Sequence, residues 1–101
     1  MNQTVGVDAP GARLTLLVAG DSPATLSART NLTRLVGEVE VDASRVRIVD
    51  VLKEPQIALR YRAFFTPSLI VDTAAGTTTI VGDLVDVGEV RRLLLADDLA
   101  S

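Results

Sequence analysis

Apolar positions along this chain alternate between strand-like and helix-like spacing. Arg13-Leu14-Thr15-Leu16-Leu17-Val18-Ala19 is almost unbroken apolar sequence, the pattern of a central strand covered on both faces. Gly20-Asp21-Ser22-Pro23 interrupts it; Asp21 or Ser22 can cap a helix and Pro23 suits its first turn. The helix that follows carries Leu26, Leu32, Leu35 and Val36 on one broad side, with Arg29 and Arg34 elsewhere, and Gly37 is expected to end it. Val46-Arg47-Ile48-Val49-Asp50-Val51 reads as a second strand, and Glu54-Pro55 opens a shorter helix through about Arg62. Residues 67–72 and 77–81 pair as a hairpin, with Gly76 available for a positive φ in the turn. Gly82-Asp83 punctuates, and Val87, Val90, Leu93 and Leu94 mark a last amphipathic helix.

This order, β-α-β-α-β-β-α, predicts an α/β fold with a mixed four-stranded sheet. One crossover makes the first two strands parallel, and the hairpin supplies an antiparallel edge. That is a thioredoxin-like layout. Residues 1–12 have no period and read as a flexible arm, residues 13–96 as the domain, and residues 97–101 as a short tail. At 101 residues and 10.7 kDa the chain can bury roughly 65% of its unfolded surface, enough for one modest core. The apolar run 14–19 is far too short to cross a bilayer. Residues 1–10 lack a basic region followed by an apolar one, so no secretory signal is read and a cytoplasmic location is expected.

The residue counts narrow the chemistry. A net charge of -3 argues against nonspecific nucleic-acid binding, which needs clustered cations. No cysteine means no disulfide, no thiolate nucleophile and no Cys-ligated zinc; no histidine removes the usual metal ligand and general base. Ser22 therefore has no His to activate it. Asp83 and Asp86 make a weak cation site, and a helix start accounts for Asp86. The chain is expected not to be an enzyme, and to use neither cofactor nor metal. An alternative reading is a thioredoxin-fold enzyme that lost its cysteines.

With these residues placed, the chain resembles the KaiB family, the thioredoxin-like partners of the KaiC clock ATPase. The resemblance runs from about Leu14 to Leu94. Its landmarks are Val18-Ala19-Gly20-Asp21-Ser22-Pro23, Val49-Asp50-Val51-Leu52-Lys53-Glu54-Pro55-Gln56, Thr66-Pro67-Ser68-Leu69 and Val81-Gly82-Asp83-Leu84. It implies a non-enzymatic regulator that binds a KaiC-like ATPase and alters its phosphorylation state or output, with KaiA-like proteins or histidine kinases as competitors. The alternative within the family is the N-terminal sensor domain of a histidine kinase. Clock members can switch their C-terminal half between a KaiB-specific tetrameric fold and the thioredoxin-like binding fold. Where those members tend to place Gly and Asp, this chain has Leu93 and Leu95. Leucine is a good helix former and glycine costs about 1 kcal/mol in a helix interior, so the thioredoxin-like state is expected to dominate.

Candidate contact residues are Lys53, Glu54, Gln56, Arg60, Tyr61, Phe64, Phe65, Thr66 and Pro67. Aromatics flanked by arginines match the composition of interface hot spots, although at least one phenylalanine is expected in the core. Thr66-Pro67 either shapes the hairpin, through a cis bond, or also contributes a surface. Gly20-Asp21-Ser22-Pro23 stands where redox relatives carry their cysteines, and reads as a capped turn. The uncharged segment 77–81 would be an edge open to pairing, so a homodimer or tetramer is expected as well.

Overall fold

The computed structural model describes residues 11–63 and 65–100, with the backbone alone for residues 98–100. Most of the arm expected over residues 1–12 lies outside the described residues. The elements in chain order are β1 (Arg13–Val18), α1 (Pro23–Val39), a short 3-10 turn (Ala43–Arg45), β2 (Val46–Asp50), α2 (Pro55–Tyr61), β3 (Ser68–Thr73), β4 (Gly76–Val81) and α3 (Gly88–Ala100). The sheet runs β2-β1-β3-β4. β1 and β2 are parallel, with Leu16 opposite Ile48; β1–β3 and β3–β4 are antiparallel, with Leu16 opposite Leu69 and Ile70 opposite Thr79. This is the thioredoxin-like α/β arrangement expected from the apolar pattern.

Side chains alternate across a strand, so β1 feeds two cores. Leu14, Leu16 and Val18 join Leu69 and Val71 under α1 and α3, against Ala28, Leu32, Leu35, Val90 and Leu94. On the other face Leu17, Val49 and Ile70 meet Ile57 of α2, with Val51, Tyr61 and Ala63 at the margin. The first layer is thick and the second thin, because α2 is a seven-residue helix whose buried residue is Ile57.

Helix α1 starts as its sequence dictates. The Ser22 hydroxyl accepts the Thr25 N–H at 3.2 Å and Pro23 occupies the first turn. Its inward face differs from the expected one, however. Thr25, Ala28, Leu32 and Leu35 are buried, while Leu26 is 53% exposed. Leu26 sits about 100° round the helix from Thr25, and burying Thr25 keeps its hydroxyl on the Ser22 cap at 3.2 Å. Nor does the helix stop at Gly37. It runs to Val39, which packs on the larger core. Glu40 then takes the left-handed conformation at φ 59, and the Val41 N–H closes the end on the Val36 carbonyl at 3.1 Å. Burial of Val39 outweighs the stop signal of an exposed glycine.

α3 is held by contacts from three directions. Val90 and Leu94 enter the core. Arg91 pairs with Glu38 of α1 at 2.6 Å. Asp97, 7% exposed, accepts the Ala74 N–H of the β3–β4 turn at 3.0 Å. Between β4 and α3 the Asn31 side chain donates to the Asp83 carbonyl at 2.9 Å, and buried Leu84 adopts a positive φ of 64. Among the described residues no helix is long and apolar enough to cross a membrane.

The two kinds of contact should separate in denaturant titrations. Leu16→Ala, in the centre of the sheet, is expected to cost about 2–5 kcal/mol. Arg91→Ala breaks a half-exposed pair and should cost less than about 1 kcal/mol.

Candidate surface at the strand ends

The strand directions bring the quoted segments together. β1 and β2 end at Val18 and Asp50, β3 begins at Ser68 opposite Leu17, and β4 ends at Val81 opposite Ser68. Residues 18–23, 49–56, 66–69 and 81–84 therefore gather at one end of the sheet. Short contacts lock them. The Val51 N–H donates to the Val18 carbonyl at 2.8 Å, and the Gly82 N–H to the Pro67 carbonyl at 2.9 Å. Asp50 organises the turn after β2. Its carboxylate accepts the Leu52 N–H at 2.9 Å and, more distantly, the Gly20 N–H at 3.5 Å. The Asp50 carbonyl accepts the N–H groups of Lys53 and Glu54, both at 3.0 Å.

The residues named from sequence fall into two groups. Lys53, Gln56, Arg60, Phe65 and Thr66 are exposed. Glu54 is half-buried at the start of α2, and Arg47 donates to its carboxylate at 3.4 Å. Tyr61 packs at the edge of the smaller core. Pro67 is buried and its bond to Thr66 is cis, with the Ser68 hydroxyl donating to the Phe65 carbonyl beside it. Phe65 is 68% exposed; Phe64 lies outside the described residues, so the expected core phenylalanine is not placed.

Two residues absent from that set belong to the same surface. Leu59 is 76% and Leu52 72% exposed. Gln56, Leu59 and Arg60 stand at i, i+3 and i+4, which puts them on one outer side of α2, away from buried Ile57. The signal for Leu59 was in the spacing: Ile57 and Tyr61 turn inward four residues apart, and position 59 falls on the far side. Arg62 ends α2 at φ 53, its N–H on the carbonyls of Ala58 and Leu59. Segment 47–65 holds four cations, Arg47, Lys53, Arg60 and Arg62, against two carboxylates, Asp50 and Glu54, in a chain of net charge -3.

This surface is apolar and basic in composition. Among the described residues no group of three or more His, Cys, Asp or Glu gathers that could hold a metal. A cavity of about 510 Å³, lined by Ala12, Val41, Arg45 and Asp97 among others, lies towards the opposite end of the sheet.

Comparisons with known proteins bear on this frame. Residues 15–95 match the family model for the KaiB domain. The circadian clock oscillator protein KaiB of Synechococcus sp. (strain RCC307) is 31% identical over 86 residues, covering 85% of this chain and 76% of that protein. The protein of the same name from a strain of Prochlorococcus marinus is 33% identical over 86 residues, covering 85% and 71%. Circadian clock protein KaiB3 of Synechocystis sp. (strain ATCC 27184 / PCC 6803 / Kazusa) is 32% identical over 77 residues, covering 76% of each. In fold, the chain is similar to the N-terminal domain of Synechococcus elongatus SasA, with a TM-score of 0.71, 18% identity and coverage of 100% of this chain and 92% of that one. Chloroplastic thioredoxin z gives a TM-score of 0.70 at 12% identity, covering 92% and 83%.

Asp50 should prove structural. Asp50→Ala removes the acceptor of the exposed Leu52 N–H, which water then replaces, and is expected to lower stability by about 0.5–1.5 kcal/mol in chemical denaturation. Asp50→Asn keeps an acceptor oxygen and should lose less than half of that.

Proposed function

This chain belongs to the KaiB family of circadian clock proteins, and we propose that it is a non-enzymatic regulator that docks on a KaiC-like ATPase. Docking modulates the phosphorylation state or output of that ATPase, in a clock or in related stress signalling. One observation carries the reading: the family match spans residues 15–95 of a thioredoxin-like frame that has neither cysteine nor histidine. A frame without thiol or imidazole is suited to act through its surface. The surface best suited to a protein partner is the apolar and basic one formed by Leu52, Lys53, Gln56, Leu59, Arg60 and Phe65. Exposed leucines and a phenylalanine next to arginines supply the desolvated anchors that dominate binding energy, and the cations steer an acidic partner surface.

A second reading is a KaiB-like sensor domain of a histidine kinase, competing for the same partner surface. In its favour stands the likeness in fold to the SasA N-terminal domain over the whole of this chain. A kinase-linked domain and a stand-alone regulator differ in what else the gene encodes, so its reading frame separates them.

Fluorescence anisotropy with a KaiC-like ATPase from the same cell tests the docking. Lys53→Glu, Arg60→Glu and Phe65→Ala are each expected to weaken binding about tenfold or more. Glu89→Ala, on α3, should leave it unchanged. Full-strength binding by the triple variant would remove this surface from the interface.

The fold state matters to that binding. The strand and helix order described above is the thioredoxin-like one, and half-buried Leu93 packs against the larger core. Leu93→Gly with Leu95→Asp should destabilise α3 in this state by at least about 1 kcal/mol. Backbone chemical shifts of residues 88–97 in both chains would measure the change.

A further inference from the structure

Among the described residues β4 is the outer strand of the sheet, and its sequence Gly76-Thr77-Thr78-Thr79-Ile80-Val81 carries no charge. Its pairing with β3 decides which backbone groups remain free. Bonded and non-bonded pairs alternate along an antiparallel ladder, and the Gly82 N–H bonds the Pro67 carbonyl at 2.9 Å. With Leu69 opposite Ile80, Val71 opposite Thr78 and Thr73 opposite Gly76, the bonds to β3 fall at Ile80, Thr78 and Gly76. Thr77, Thr79 and Val81 consequently turn their N–H and C=O groups outward. Their β-branched side chains are exposed as well, on the face of Ile70, which lies opposite Thr79. Edge strands normally discourage pairing with charge, proline or a bulge. β4 has no such device, and its register with β3 is unbroken from Ser68 to Thr73. The other edge, β2, carries Arg47 and Asp50.

We propose that β4 pairs with β4 of a second copy, antiparallel about a two-fold axis at Thr79, to form one continuous sheet. Symmetry makes this register specific. The same strand must serve both sides of an isologous contact, and outward-facing residues must meet outward-facing ones. Centring on Thr79 uses all three: Thr79 opposite the second copy's Thr79, Thr77 opposite its Val81, and Val81 opposite its Thr77. Centring on Thr78 instead would set Val81 against the turn residue Ala75. Charge also permits the pairing. Two copies of net charge -3 repel in general, but this ladder places no like charges opposite each other. Asp83 would face Ala75, and Asp72 is occupied by the Thr77 hydroxyl at 2.6 Å. β-branched pairs across strands are among those that stabilise a sheet. The pairing does not rest on the docking proposed above.

Sedimentation velocity of the full chain at rising concentration tests it, with a shift from monomer to dimer expected. Thr77→Lys with Val81→Lys sets lysine against lysine at both outer pairs and should abolish the dimer. Thr77→Lys with Val81→Glu alters the same exposed positions but opposes unlike charges, and should retain it. Circular dichroism of the two variants should be the same. A wild-type chain that stays monomeric, a dimer that survives the double lysine variant, or one lost equally in both variants overturns the proposal.

Discussion

β1 is hydrogen-bonded to β2 on one side and β3 on the other, with helices over both its faces. Its backbone groups have no access to water and must be paired within the sheet. The other features follow from that enclosure. A strand buried on both faces needs apolar side chains at successive positions, which β1 supplies from Leu14 to Val18 with buried Thr15 as the exception. A parallel neighbour needs a long crossover, which α1 provides. The hairpin β3–β4 then closes the free side of β1 in the antiparallel sense. Because of these directions the turns after β1, β2 and β4, and the loop before β3, all open at the same end.

The two layers are unequal, and that inequality gives the molecule its candidate surface. α1 and α3 bury one face with a full set of aliphatic side chains. On the other face, seven-residue α2 contributes Ile57 and the edge of Tyr61. A helix of two turns has room for one inward stripe, so Leu59 stays outside with Gln56 and Arg60. Leu52 and Phe65, on the flanking turns, are exposed too. Solvated leucines and a phenylalanine set among cations are costly to leave bare and cheap to cover with a partner.

Much of the frame was legible in the chain because each element carries its own period and punctuation. The Ser22-Pro23 start of α1 and the Pro55 start of α2 fall where the residues place them, and Gly76 has its positive φ as the first residue of β4, just after the turn at Ala74 and Ala75. The misreadings were at positions where packing competes with local preference. Gly37 looked like a stop, but Val39 still had core to fill. Leu26 looked buried, but the rotation of α1 gives that place to Thr25. Of the contact residues named from sequence, Tyr61 and Pro67 are engaged in packing, whereas Lys53, Gln56, Arg60 and Phe65 face solvent. Leu59 was missed because a leucine in a short helix reads as core until the direction of its neighbours is known.

What the amino-acid sequence determined by itself was therefore the list of elements, their order and the absence of thiol and imidazole chemistry. Those depend on local quantities: apolar period, turn propensity and residue type. Only the tertiary structure decided which helix face turns inward, which strands become edges, and that four distant segments share one end of the sheet. These depend on the pairing of β1 with both neighbours. They also depend on the unequal cover of its two faces, where long-range burial overrides the preference of any single residue.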